Sequence, residues 1–200
     1  MLPPSQMLVR LDVATRVHHP EADAPWLDLM AREPTRTRYI DLLVATYGFE
    51  APIEASLSLT PQVASVVDLR HRSRTGAIVQ DLLALGMTPS KIARLPQCSR
   101  VVPFRDSGEA LGWLYVVERA TLLHEAILRY VQGRLPYVYA WSYLNSYDGR
   151  AGLRWQEFGR MLDEVATTPA ITEQILAGAR AAFACHLDWH AAKSVALAGG

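Results

Sequence analysis

The feature that most constrains this chain is the segment of residues 109–132, which is apolar on nearly every face when it is read as a helix. Its apolar side chains include Leu111, Trp113, Leu114, Tyr115, Val116 and Val117. A helix that is apolar all round is a buried helix. The middle of the segment nevertheless carries polar side chains, namely Glu118, Arg119, Thr121 and His124. Because buried polar groups need partners, the segment predicts an internal polar network or the lining of a pocket.

The rest of the chain reads as further helices. Thr-Pro pairs place a capping hydroxyl before a proline, as at helix starts, and Gly48, Gly86 and Gly133 follow periodic segments, as at helix ends. We expect helices over residues 6–19, 35–47, 69–85, 109–132, 136–146, 152–165 and 169–196, with shorter turns at 26–32, 52–57 and 89–94. No stretch shows the alternation of a strand. The chain is predicted to be a multi-helical all-α protein with a single domain over residues 1–200 and a core over about 8–190.

Charge and composition exclude several classes of function. Basic and acidic residues balance at 20 each, which argues against nucleic acid or an anionic membrane as a partner. The longest apolar run, residues 111–117, is far shorter than the ~20 residues of a membrane span, and the N-terminus lacks a signal-peptide pattern. Cys98 and Cys185 lack CxxC spacing, so we expect neither a disulfide framework nor a zinc site. We therefore expect a cytoplasmic protein.

The N-terminal stretch Leu11 to His19 resembles the first helix of the heme oxygenases. That family has an alanine-threonine pair, here Ala14 and Thr15, and a histidine four residues after the threonine, which is His19. The resemblance implies that His19 binds heme iron and that Asp23, four residues further on, holds the proton of the other ring nitrogen. His19 could instead cap a helix end, and a shift of one residue would make His18 the ligand. Pro20 predicts that the first helix ends or kinks at His19.

The resemblance extends over residues 8–189. Within the family, the chain is similar to the bacterial branch associated with phytochromes. It is carried by the segments 38–43, 47–54, 70–74, 81–86, 112–118, 152–158 and 168–183. It implies the all-α heme oxygenase-like fold, with heme b between the first and central helices as both substrate and cofactor. It further implies cleavage of heme to biliverdin, carbon monoxide and iron, with O2 and electrons from a reductase. A ferredoxin or flavin reductase and a bacteriophytochrome that accepts biliverdin are the implied protein partners.

The central segment would cover the distal face of this heme. The resemblance makes Thr15, Ala120, Leu123 and His124 heme contacts, and it offers Glu118, Arg119, Thr121 and His124 as distal candidates for catalysis. Arg150 and Arg154 could bind the heme propionates or could be solvated. The family's distal helix is rich in glycine, whereas residues 119–124 contain none. His124 could fill the pocket, join a polar network with Glu118 or Arg119, or act as a second axial ligand.

Three hypotheses follow from these residues. The first is a heme oxygenase. The second is a heme oxygenase-like scaffold that binds heme without turnover or has lost heme, which predicts that side chains fill the gap between the first and central helices. The third is a non-heme iron protein that uses Glu118, His124, His186 and His190, although His186 and His190 more simply form a surface pair.

Overall fold

The computed structural model describes the backbone of residues 4–198 and the side chains of residues 4–192. Within these residues the chain is built from helices and turns without strands, which confirms the all-α class. The α-helices are α1 (Gln6–Thr15), α2 (His19–Ala31), α3 (Arg36–Leu59), α4 (Val63–Val66), α5 (Thr75–Ala84), α6 (Pro89–Ile92), α7 (Ser107–Ala120), α8 (His124–Gln132), α9 (Ala151–Val165) and α10 (Pro169–Ala198). Short 3-10 turns cover Arg16–His18, Leu69–His71 and Thr121–Leu123. No helix of the described part is long and apolar enough to cross a membrane.

The first predicted helix is interrupted before His19 rather than after it. The 3-10 turn Arg16–His18 separates α1 from α2, and α2 begins at His19. Pro20 therefore falls in the first turn of α2, where a missing backbone N–H costs nothing. The expected kink exists, but it lies one turn earlier than Pro20 suggested.

Helix α3 continues well beyond its predicted end at residue 47. Gly48 was expected to cap the helix, and this prediction is wrong because Gly48 lies inside α3. A Cβ at this position would collide with the Trp189 ring and would stand 2.6 Å from the Pro96 carbonyl oxygen. The glycine is therefore needed for close packing against α10, where Trp189 Nε1 donates to the Ala45 carbonyl at 2.8 Å.

The helix predicted over residues 136–146 is absent, and turns occupy this segment. The Asp81 carboxylate accepts hydrogen bonds from the backbone N–H groups of Ser142, at 2.8 Å, and Tyr143, at 2.9 Å. Tyr39 also donates from its hydroxyl to the Ala140 carbonyl at 2.8 Å. These side chains satisfy backbone groups that helical bonds would otherwise satisfy, so the aromatic segment is held as an ordered loop.

The central segment is divided into α7 and α8 by the 3-10 turn Thr121–Leu123, although it was predicted as one helix. Helix α7 is buried as expected and crosses α10 closely. A Cβ at Gly112 would strike the Ile175 carbonyl oxygen, and one at Gly178 would strike the Glu109 carbonyl oxygen. The side chains of α7 belong to a core shared with α1, α9 and α10, whereas α8 packs into a second core with α3 and α5. The central segment thus joins both halves of the interior.

Candidate functional site between helix α2 and the central segment

His19 stands at the start of α2, next to the central segment, with 13% of its side chain exposed. Thr15 Oγ1 donates to the Leu11 carbonyl at 2.7 Å. His19 Nε2 lies 3.0 Å from Thr15 Oγ1. Because the threonine proton is already used, His19 donates from Nε2. The Phe183 ring of α10 lies 5.3 Å from the imidazole, centroid to centroid. Burial, followed by the nearby Arg119 guanidinium, lowers the pKa of His19, so the ring is neutral near pH 7.

Asp23 is occupied by a partner other than His19. Arg119 of α7 donates from Nη1 and Nη2 to Oδ1 and Oδ2 of Asp23, each at 2.8 Å. The two side chains are 18% and 14% exposed, so most of this ion pair is removed from water. A two-point pair of this kind fixes both distance and orientation. The ion pair therefore connects α2 to the central segment at the place where the family resemblance predicted heme.

The space left between these helices is small. A cavity of about 30 Å³ lies among α2, α3, the central segment and α10, with Asp23, Arg119, Ala120 and Leu123 in its lining. Ligand sites for molecules of drug size or larger span roughly 300–1,000 Å³, and a cavity of this volume holds only one or two waters. Heme therefore does not fit between the residues as they stand.

His124 points away from His19 and into the second core. Its ring lies 4.6 Å from that of Tyr143, and its Nε2 is buried without a hydrogen-bond partner among the described residues. Burial, assisted by the positive charge of Arg74, lowers the pKa of His124 to about 3. The imidazole is therefore a neutral, space-filling group, and it does not face His19 across a common gap.

Glu118 belongs to a buried charge network, as one of the two predicted alternatives, but the sequence did not identify its arginine partners. Arg74 Nη1 donates to Glu118 Oε1 at 2.9 Å and lies 3.0 Å from the Tyr147 hydroxyl, while Arg72 donates to Glu118 Oε2 at 2.6 Å. The Tyr147 hydroxyl donates to Glu118 Oε1 at 2.7 Å. The side chains of Arg74 and Glu118 are each 1% exposed. Two arginines thus neutralise one carboxylate in the interior, as buried charges require.

Glu50 extends this network towards the cavity. Tyr143 donates from its hydroxyl to Glu50 Oε1 at 2.7 Å, and Arg74 Nε lies 3.7 Å from Oε2, beyond hydrogen-bond distance. Burial raises the pKa of Glu50 to about 7 against the lowering effect of Arg74. Glu50 Oε2 and the nearby Thr46 Oγ1 are both buried without a hydrogen-bond partner among the described residues. A water bound in this part of the cavity would therefore provide hydrogen bonds to these two oxygens.

His186 and His190 also line the cavity, so they do not form the surface pair that their spacing suggested. Their ring centroids are 4.3 Å apart, and burial lowers their pKa values to about 3 for His186 and about 4 for His190. Across residues 4–192 no cluster of three histidine, cysteine or acidic side chains could hold a metal ion. The four candidates for non-heme iron therefore do not converge, since Glu118 is held by arginines and His124 faces Tyr143.

The remaining predicted site residues are spread over the molecule. Thr121 Oγ1 donates to the Glu118 carbonyl at 2.7 Å and so helps to form the 3-10 turn. Arg154 pairs with Glu157 at 3.0 Å on α9, and Arg150 is exposed at its start. Neither arginine lines the cavity. The structure thus brings His19, Asp23, Arg119, Ala120 and Leu123 into one region. The adjoining polar network is formed by residues that the sequence did not identify as site residues, namely Arg74, Glu50, Tyr143 and Tyr147.

The chain is an all-α protein in which α2, which begins at His19, packs against α8 of the central segment. The family model of heme oxygenase matches residues 5–192, and the chain therefore belongs to the heme oxygenase family. This family binds heme as its substrate. Comparison with curated proteins and with solved structures found no significant match.

Proposed function

We propose that this chain is a heme oxygenase-like protein in which an internal ion pair has replaced the heme site, so that it does not cleave heme. The pairing of Arg119 with Asp23 is the observation that carries this proposal. In the resemblance to the family, Asp23 orients the histidine ligand. Here its two oxygens are both taken by a guanidinium that reaches across the gap.

The neighbouring residues support the same interpretation. Leu123 fills the gap from the 3-10 turn, in a segment where the family has glycines, and the cavity that remains measures about 30 Å³. His19 uses Nε2 for its bond to Thr15, and Phe183 covers the ring. Heme would have to displace the ion pair, Leu123 and Phe183 together, with no glycine to let the helix yield.

A second candidate is a working heme oxygenase whose cleft opens when heme arrives. Its support is the neutral ring of His19, since only a neutral imidazole can bind iron. Separating a largely buried ion pair would cost about 1–3 kcal/mol, which burial of a large apolar macrocycle could offset. This candidate retains heme b, O2, reductase electrons, biliverdin as product, and the ferredoxin or flavin reductase and bacteriophytochrome partners.

The two candidates differ in turnover. The purified protein would be mixed with hemin and then with ascorbate or a reductase system under air, and biliverdin would be followed by its absorbance. We expect no biliverdin above the level given by hemin with a protein that has no heme site. Formation of biliverdin that is lost in His19→Ala would establish the second candidate and reject the first.

We also infer that the protein is a single cytoplasmic domain. Both cysteines are free thiols, as a reducing compartment favours. Expression with a fluorescent tag and fractionation of the cells would test the location, and recovery of the protein with membranes or the periplasm would contradict it.

A further inference from the structure

Two thiols that are distant in the sequence are in contact inside the molecule. Cys98 lies in the segment between α6 and α7, and Cys185 lies on α10, 87 residues further along the chain. Their sulfur atoms are 3.4 Å apart, and the residues are 4% and 2% exposed. The observation is independent of the heme site and of the function proposed above.

The surroundings of the two sulfurs differ from those of an ordinary buried cysteine. The Arg100 guanidinium pairs with Asp188 on α10, and its positive charge acts on both thiols. Burial and the hydrogen bond to Cys98 raise the pKa of Cys185 to about 12, so the Cys185 thiol stays protonated. Cys98 lies outside any helix, two residues before Arg100, whereas Cys185 is held within α10.

We propose that Cys98 and Cys185 are a peroxide-sensitive pair that closes to an internal disulfide, with Cys98 as the attacking thiol and Cys185 as the resolving thiol. A disulfide requires the two sulfurs to approach from their present 3.4 Å to about 2.05 Å. Cys98 lies outside any helix, so its segment can adjust while α10 stays in place.

The chemistry balances with hydrogen peroxide as the oxidant. The Cys98 thiolate attacks one peroxide oxygen, the O–O bond breaks, and the departing hydroxide takes up a proton to leave as water. The resulting Cys98 sulfenic acid is attacked by the Cys185 sulfur, which loses its proton as the S–S bond forms and a second water leaves. In total, two thiols are oxidised by two electrons and one peroxide is reduced to two waters.

The disulfide would tie the segment before α7 to α10 beside His186, in the wall of the cavity. Closing so large a loop restricts the unfolded chain, and the melting temperature should rise by roughly 5–15 °C. Reduction with dithiothreitol should reverse the rise. When peroxide is present, the disulfide would therefore hold α10 in place against α3.

The wild-type protein provides the first test. After treatment with hydrogen peroxide at a small molar excess, free thiols would be counted with a thiol reagent under denaturing conditions, and tryptic peptides would be read by mass spectrometry without reduction. We expect both thiols to disappear together and one linked peptide pair, Cys98 to Cys185. Separate oxidation of each cysteine without linkage, or no loss of thiols, would overturn the proposal.

Single variants test the two roles. In Cys185→Ala, dimedone should trap a sulfenic acid at Cys98, whereas in Cys98→Ala the remaining thiol should react at least 10-fold more slowly than Cys98 does. The reverse order would overturn the assignment of the attacking thiol. Circular dichroism and the melting temperature before oxidation show whether each variant is folded, and the wild-type peptide map remains decisive if one is not.

Discussion

Arg119 and Asp23 meet through two parallel hydrogen bonds of 2.8 Å each, and they connect the first turns of α2 to the end of α7. Asp23 is also near enough to His19 to act on its charge, as is Arg119. The guanidinium therefore provides a fixed positive charge beside the imidazole. In a heme oxygenase of the expected kind this region would be shared by the heme and the orienting carboxylate.

The coupling between these two residues can be measured. Arg119→Ala and Asp23→Ala should each lower the free energy of unfolding by about 1–3 kcal/mol, because each leaves a largely buried charge without its partner. The double variant should lose less than the sum of the two, since the second change removes no further pair. Urea denaturation of the four proteins gives the coupling energy, and strictly additive losses would show that the pair is not formed.

Among the polar residues, Arg74 should contribute most to the stability of the fold. Arg74→Met keeps the volume but leaves Glu118 with one arginine and Glu50 with none, and the free energy of unfolding should fall by about 3–5 kcal/mol. The matched control is Arg180→Met, which breaks the exposed pair with Glu173 and should cost less than ~0.5 kcal/mol. Equal losses in urea denaturation would refute the buried network.

Glu50 should make stability fall as the pH rises through neutrality. Its pKa is raised from 4.5 to about 7, so between these values the folded protein holds a proton that the unfolded chain has released. Stability from this group is complete below pH 4.5 and is lost as the pH rises towards about 7. Glu50→Gln keeps the uncharged form at every pH.

The measurement is the difference in free energy of unfolding between Glu50→Gln and the wild type at several pH values. The variant should gain relative to the wild type by up to about 1 kcal/mol per pH unit between about pH 5 and pH 7. Glu54→Gln is the control: Glu54 accepts bonds from Ser73 and Thr75 at the outer edge of the same helix. A flat difference for Glu50→Gln would mean that Glu50 is ionised throughout this range.

The helical class and the long last helix, α10, could be predicted because local signals determine them. Thr168 caps α10 through the Ile171 N–H at 3.2 Å, as the Thr-Pro pair indicated. A helix was wrongly predicted over residues 136–146 because the aromatic residues of this segment are also typical of a buried helix. What decides its structure is a distant carboxylate, that of Asp81, which takes two of its N–H groups.

The candidate site shows the same division between local and distant information. The sequence identified a polar middle in the buried central segment, and the family resemblance assigned His19, Asp23 and Arg119 to one heme site. It did not show that Arg119 would choose Asp23, because 96 residues separate the two. Arg74 was missed because its partner Glu118 is 44 residues away in the sequence.

If the ion pair and Leu123 close the heme site, the protein should not bind hemin, and titration with hemin measures this. The Soret band would be followed for the wild type, for the double variant Arg119→Gly with Leu123→Gly, and for that variant with His19→Ala added, with circular dichroism to confirm folding. We predict no saturable Soret shift for the wild type, a saturable shift at one hemin per chain for the double variant, and loss of that shift without His19. Binding of one hemin through His19 by the wild-type protein would show that the ion pair and Leu123 do not close the heme site.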